Sequence, residues 1–93
     1  MNNVLMDEHA ARVVEGVLVM IDRFELGAAS VADLQASAEG AAGALDNSNA
    51  GLRRVLERLD NELELIRFTV SDAGSVQAVR EATRALRQLT ASS

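Results

Sequence analysis

The sequence contains no cysteine, no proline and no lysine, and its only aromatic residues are Phe24 and Phe68. Without cysteine the chain can form neither disulfides nor thiolate metal sites. Without proline it lacks the commonest helix breaker. A core must therefore be built mainly from Leu, Val, Ile and Ala side chains. Because 93 residues suffice for one modest core, we expect a single domain over residues 1–93.

Long apolar runs are also missing from the chain. The longest, Val17–Ile21, is far shorter than the roughly 18 residues that a membrane-spanning helix needs. The first residues carry no positive charge ahead of their apolar side chains, unlike a signal peptide. We therefore expect a cytoplasmic protein that does not enter a membrane.

Charge is distributed unevenly along the chain. The net charge is −5, but residues 1–46 hold eight acids and two arginines, whereas residues 47–93 hold six acids and seven arginines. The two halves thus carry −6 and +1. An acidic chain is a poor ligand for nucleic acid, because phosphate contacts require an excess of basic side chains. The charge instead favours a basic protein as partner.

The clearest helical pattern runs from Leu52 to Val70. Apolar residues recur there every three or four positions and lie within about 60° of one line on a helical projection. They are Leu52, Val55, Leu56, Leu59, Leu63, Ile66 and Val70. An apolar stripe this regular must be covered by other helices.

Three further segments can supply that cover. A helix from about Val4 to Leu26 is predicted to end at Gly27, the residue type that best adopts a left-handed turn. Its inner face comprises Met6, Ala10, Val13, Val14, Val17, Met20, Ile21 and Phe24. A second helix begins at Ser30, which forms a capping-box pattern with Asp33. Its inner face comprises Val31, Leu34, Ala38, Ala41 and Leu45.

The remaining connections and the last helix follow the same logic. Asn47, Ser48 or Asn49 is expected to cap the third helix. The sequence Ser71–Ser75 reads as a turn, followed by a helix to about Thr90. The inner face of this fourth helix comprises Val76, Val79, Ala82, Thr83, Leu86 and Leu89, and its outer face carries Arg80, Arg84 and Arg87.

Four amphipathic helices joined by short polar turns predict an all-α fold, an antiparallel up-down bundle of four helices. The second helix is rich in Ala and Gly, which bury little area and weaken a helix. The alternative is therefore a bundle of three principal helices with the second one short or distorted.

No motif indicates catalysis, a cofactor or a metal. Residues Asp46–Glu57 have the first, sixth and last residues of a calcium loop, but Ala50 stands where a ligand is needed and Arg53 adds a cation. His9 lacks the partners of a zinc or catalytic site, so it is expected on the surface. The acidic residues around Asp60 are expected to lie on a solvent-exposed face of the third helix and not in a catalytic site. We therefore expect a protein that is not an enzyme and that binds neither a cofactor nor a metal ion.

Two apolar residues of the third helix, Leu65 and Phe68, fall outside the apolar stripe. An apolar pair among polar residues is typical of a protein-binding surface, where large side chains anchor and charges steer. The predicted partner-binding residues are Glu57, Asp60, Asn61, Glu64, Leu65 and Phe68. The alternatives are that the bundle buries both sides of this helix, or that the helix unwinds at Phe68. Val19 and Leu26 also lie off their helix's stripe, which leaves a homodimer open.

Three segments carry a resemblance to a known class of protein. They are Ile21-Asp22-Arg23-Phe24, Val31-Ala32-Asp33-Leu34-Gln35 and Leu63-Glu64-Leu65-Ile66-Arg67-Phe68. In order and spacing they resemble small acidic helical immunity proteins of bacterial polymorphic toxin systems. The resemblance implies a protein that binds a cognate toxin, often at or near its active site.

The sequence therefore predicts a non-enzymatic protein-binding module. Its expected role is that of an immunity protein that binds and neutralises a basic toxin domain, for which nucleic-acid-targeting toxins qualify because they must bind phosphate. The alternative is a structural or regulatory helical homo-oligomer.

Overall fold

A computed structural model describes residues 8–46 and 49–91 as a helical bundle. Its helices are α1 (Glu8–Glu25), α2 (Val31–Ala44), α3 (Ala50–Thr69), α4 (Asp72–Ala82) and α5 (Arg84–Ala91). Helix α2 packs against α1 and α3, and α3 packs against α4 and α5. The predicted all-α bundle is confirmed. Because α2 is a complete helix of 14 residues, the three-helix alternative is wrong. The predicted start at Val4 lies outside the described residues.

The core forms along the predicted stripes. On α3, the buried residues are Leu52, Leu56, Leu59, Leu63 and Ile66, with Val55 and Val70 partly buried beside them. On α1 they are Ala10, Val14, Val17, Ile21 and Phe24. Helix α2 contributes Leu34, Ala38, Ala41 and Ala42, followed by Leu45. Small side chains let a neighbouring helix approach closely, and α2 packs against both α1 and α3.

Helix α1 ends as predicted at a left-handed glycine. Gly27 has φ 81°, a conformation that side chains other than glycine's adopt with strain. The Gly27 N–H donates to the Phe24 carbonyl at 3.0 Å, and the Ala28 N–H donates to the Arg23 carbonyl at 2.8 Å. These two bonds form a Schellman motif, which satisfies the last carbonyls of the helix.

Helix α2 begins with the predicted capping box. The Asp33 N–H donates to Ser30 Oγ at 3.0 Å, and the Ser30 N–H donates to Asp33 Oδ2 at 2.9 Å. The Ser30 backbone hydrogen bond, then the Ser30 side chain and the Arg23 charge, hold the pKa of Asp33 below the ordinary 3.8. A lowered pKa means that the ionised carboxylate stabilises the fold above pH 3.8. This contribution disappears as the pH falls through the lowered value.

Replacing Ser30 with alanine should lower the free energy of unfolding by about 1 kcal/mol, because one amide at the start of α2 loses its acceptor. The matched control is Ser71→Ala. Ser71 occupies the same position before α4, but its side chain makes no capping hydrogen bond. Chemical denaturation of the two variants checks this expectation. Equal losses would mean that the Ser30 hydroxyl has no particular role in capping.

The start of α3 differs from the expected cap. Asn49 lies at the N-cap position, but its side chain makes no capping bond and donates instead to Asp46 Oδ1 at 3.2 Å. Of the three candidate caps, Asn49 thus occupies the N-cap position without a capping bond from its side chain. The other two candidates, Asn47 and Ser48, lie outside the described residues.

The turn predicted over Ser71–Ser75 is shorter than expected. Helix α4 already begins at Asp72, whose negative charge is favourable in a first helical turn. Gly74 lies within the helix instead of in a turn. A β-carbon at this position would lie 3.3 Å from Cγ1 of Val70, so glycine allows the close approach between the end of α3 and the start of α4.

The fourth predicted helix is present, but it is interrupted at Thr83. The buried Thr83 hydroxyl donates to the Val79 carbonyl at 2.8 Å, a type of bond that bends helices. Backbone hydrogen bonds still connect Thr83 to Val79 and Arg87 to Thr83, so α4 and α5 are consecutive parts of one path. Of the predicted inner face, Val79, Thr83 and Leu86 are buried and Ala82 is partly buried. The other two, Val76 and Leu89, are exposed, and for them the prediction is wrong.

Candidate functional site

Helix α3 presents an apolar pair to solvent near its C-terminal end. The side chains of Leu65 and Phe68 are 62% and 71% exposed. Together with Asn61 and Glu64 they line a shallow hollow of about 270 Å³. The spacing of Asn61, Leu65 and Phe68 places them one and two turns apart on the face opposite Leu59. The two alternatives to an exposed pair are therefore wrong. Helix α3 is not buried on both sides here, and it remains helical through Phe68.

One face of the Phe68 ring is covered by a cation. The guanidinium carbon of Arg67 lies 4.9 Å from the ring centroid, within the range of a cation–π contact. Nη1 of Arg67 also donates to Gln35 Oε1 on α2 at 2.7 Å. Arg67 is therefore held from the α2 side while it contacts Phe68, which leaves the rest of the ring facing solvent.

Gln35 is the centre of a polar network between α2 and α3. Its side-chain nitrogen donates to Asp60 Oδ1 at 3.0 Å and to Glu64 Oε1 at 3.3 Å. With the bond from Arg67, the amide thus has partners for both its nitrogen and its oxygen. Gln35 is only 9% exposed, and a buried amide is costly unless it is hydrogen-bonded. This network fixes the register of α2 against the part of α3 that carries the apolar pair.

The predicted partner-binding residues divide into two groups. Asn61, Glu64, Leu65 and Phe68 come together around the hollow. The other two lie beside it on the same helix. Glu57 pairs with Arg53 at 3.3 Å, and Asp60 accepts the hydrogen bond from Gln35. The sequence interpretation missed Gln35. The available signal was its position four residues after the inward-facing Val31, on the edge of the inner face of α2.

Helix α1 and the turn after it carry a second, more scattered set of exposed apolar residues. Val19 and Leu26 are 49% and 84% exposed, and the acids Glu15 and Asp22 lie on the same outer face. This face thus offers negative charge and two exposed apolar side chains, and the α3 face offers an apolar pair beside a hollow.

The sole histidine is exposed and contacts a helix end. His9 Nε2 lies 3.0 Å from the carbonyl oxygen of Ala44, the last residue of α2. As a donor it satisfies one of the terminal carbonyls of that helix. His9 therefore links the start of α1 to the end of α2.

Residues 8–46 and 49–91 contain no group of three or more His, Asp or Glu side chains arranged to hold a metal ion. None of the helices in these ranges is long and apolar enough to cross a membrane. Comparisons with protein families, curated proteins and solved structures find no match to the chain.

Proposed function

We propose that this chain is a non-enzymatic protein-binding module that acts as an immunity protein, binding and neutralising a basic toxin domain. The observation that carries the proposal is the exposed pair Leu65 and Phe68 around a hollow on α3. Large apolar side chains next to a pocket are the usual anchors of protein interfaces. The Gln35 network ties this part of α3 to α2, which supports an anchor whose helix need not move on binding.

Charge supplies the second part of the proposal. Helix α3 carries equal numbers of acids and arginines, four of each, so this helix alone does not select a basic partner. The acidic excess belongs to residues 1–46, which include α1 and α2. The negative charge of residues 1–46 increases the association rate of a basic protein. The apolar pair on α3 then lowers its dissociation rate.

Replacing both Leu65 and Phe68 with alanine should weaken partner binding at least tenfold, because both anchors lose their contact area. The free energy of unfolding should change by less than about 1 kcal/mol, since both side chains are exposed. The matched control is Val19→Ala with Leu26→Ala, which removes an exposed apolar pair from α1 and the turn that follows it. That control should retain the partner.

The experiment begins with a pull-down from the native host at low and moderate salt, using all three forms as bait. The recovered protein is then purified for affinity measurements. It is also expressed with and without each form to test whether the wild type relieves growth inhibition. A basic, growth-inhibiting protein that the wild type and the α1 control bind, but the α3 variant does not, would support the proposal. A partner that binds all three forms equally would remove the binding role of this surface.

A homo-oligomer is the second candidate, favoured by the same exposed apolar side chains. Sedimentation equilibrium of the wild type separates the two functions. A mass that rises with concentration, and becomes constant in the Leu65→Ala and Phe68→Ala double variant, would assign the α3 surface to self-association. A constant monomer mass would leave that surface for a different protein.

A further inference from the structure

The outer side of α4 and α5 holds a cluster of three arginines around one acid. Arg80, Arg84 and Arg87 follow one another at intervals of four and three residues, so they share one helical face. Together with Glu25 and Gln88 they line an open hollow of about 530 Å³. This arginine hollow lies on different elements from the apolar surface of α3.

Two of these arginines converge on a single oxygen atom. Nε of Arg80 lies 3.5 Å from Glu25 Oε2, and Nη2 of Arg87 lies 3.4 Å from the same atom. Glu25 is the last residue of α1, and its side chain is more sheltered than those of both arginines. The two guanidinium groups are therefore already oriented toward an oxyanion, from two turns of the helix.

The third arginine has no such partner. Arg84 lines the same hollow, and no carboxylate forms a salt bridge with it among the residues that the structure describes. Three arginines and one glutamate give the hollow a local charge of +2 in a chain whose net charge is −5. The hollow thus places positive charge on an acidic protein, and Arg84 adds a guanidinium that makes no ion pair with the residues that the structure describes.

We propose that the arginine hollow binds a phosphate monoester dianion. Guanidinium groups match the geometry of phosphate oxygens and donate two hydrogen bonds at once. A phosphate monoester carries about −1.5 to −2 near neutral pH, which balances the local charge. A long polyanion such as nucleic acid is a poorer ligand, because it must also approach the acidic remainder of the protein. A free phosphorylated compound and a phosphorylated protein side chain share this chemistry.

The test is a titration followed by NMR of the arginine Nε–Hε groups at pH 7.5. The probes are inorganic phosphate, phosphoserine and a phosphoserine peptide, each compared with sodium chloride at equal ionic strength. For the wild type we expect saturating shifts at Arg80, Arg84 and Arg87, with a dissociation constant of about 1 mM or below. Similar affinities for all three probes indicate a small phosphorylated compound as ligand, whereas a preference for the peptide indicates a phosphorylated protein.

Two variants give opposite expectations. Arg84→Gln should weaken phosphate binding about tenfold without lowering the melting temperature, because Arg84 makes no ion pair in the described chain. Glu25→Gln should strengthen binding, because it removes the competing carboxylate and raises the local charge to +3. The control is Arg54→Gln, an exposed arginine on α3, which should leave binding unchanged.

The phosphate proposal does not depend on partner binding at α3, and it can be refuted separately. It is wrong if sodium chloride reproduces the shifts at equal ionic strength. It is also wrong if Arg84→Gln binds phosphate as tightly as the wild type and the Arg54→Gln control do. A loss of fold in Glu25→Gln would not rescue it, since the Arg84 variant decides the matter alone.

Discussion

Replacing Leu56 with alanine should lower the free energy of unfolding by about 3 kcal/mol, the largest effect we expect from a single change. Leu56 is fully buried in the middle of the α3 stripe. Truncation removes the transfer free energy of three carbons and leaves a cavity that the neighbouring helices cannot fully close. In a domain of this size, that loss corresponds to a fall in melting temperature of roughly 12–24 °C.

The same substitution at Leu65 provides the matched control. Leu65 lies on the same helix, nine positions further along, but faces solvent. We expect Leu65→Ala to change the free energy of unfolding by less than about 0.5 kcal/mol. Thermal and urea denaturation of both variants measure the difference. Comparable losses at the two sites would show that α3 is rotated relative to the bundle, and that Leu65 is part of the core.

Replacing Gln35 with glutamate should cost about 2–3 kcal/mol at neutral pH. The change removes the donor that serves Asp60 and Glu64 and places a third carboxylate against them. The new carboxylate also pairs with Arg67, at the place where the Gln35 oxygen now accepts its hydrogen bond. The ion pair with Arg67 does not fully offset the cost, because repulsion from Asp60, repulsion from Glu64 and the lost donor all oppose it.

The loss of stability in Gln35→Glu should depend on pH, and the direction of that dependence identifies its cause. The like charges raise the pKa of the introduced carboxyl above the ordinary glutamate value of about 4.3. The part of the penalty that comes from like charges is therefore absent below the ordinary value, and it grows as the pH rises through the raised one. Gln35→Met, which has a similar shape but no charge, should cost only about 1 kcal/mol at every pH. A pH-independent loss in the glutamate variant would indicate poor packing instead of charge repulsion.

The sequence predicted those features of the fold that depend on neighbouring residues. The α3 stripe, the capping box at Ser30 and the left-handed Gly27 each follow from spacing or from one residue's backbone preference. The beginning of α4 was misplaced because Ser71, Asp72 and Gly74 suit a turn as well as the first turn of a helix. Residue preferences alone do not separate the two, because the same residue types are favourable in both positions.

The candidate site was predictable only in part, for a similar reason. Leu65 and Phe68 stand out because their angle on the helix excludes them from the Leu59 side, which local geometry alone determines. The attachment of Asp60 and Glu64 to Gln35 depends on how two helices separated by a loop align. Helical periodicity specifies which side of a helix is buried, but not which residue of the neighbouring helix lies opposite.

The order in which the helices pack has a consequence for how the chain folds. Helix α1 packs against α2, α2 against α3, and α3 against α4 and α5, so a folding chain can form most of its contacts between successive segments. Topologies of this kind cross a low entropic barrier, and helical bundles reach the native state within microseconds to milliseconds. The contact between Glu25 and Arg87 spans 62 residues. Closing a loop of that length from the unfolded chain costs more entropy than forming contacts between successive helices.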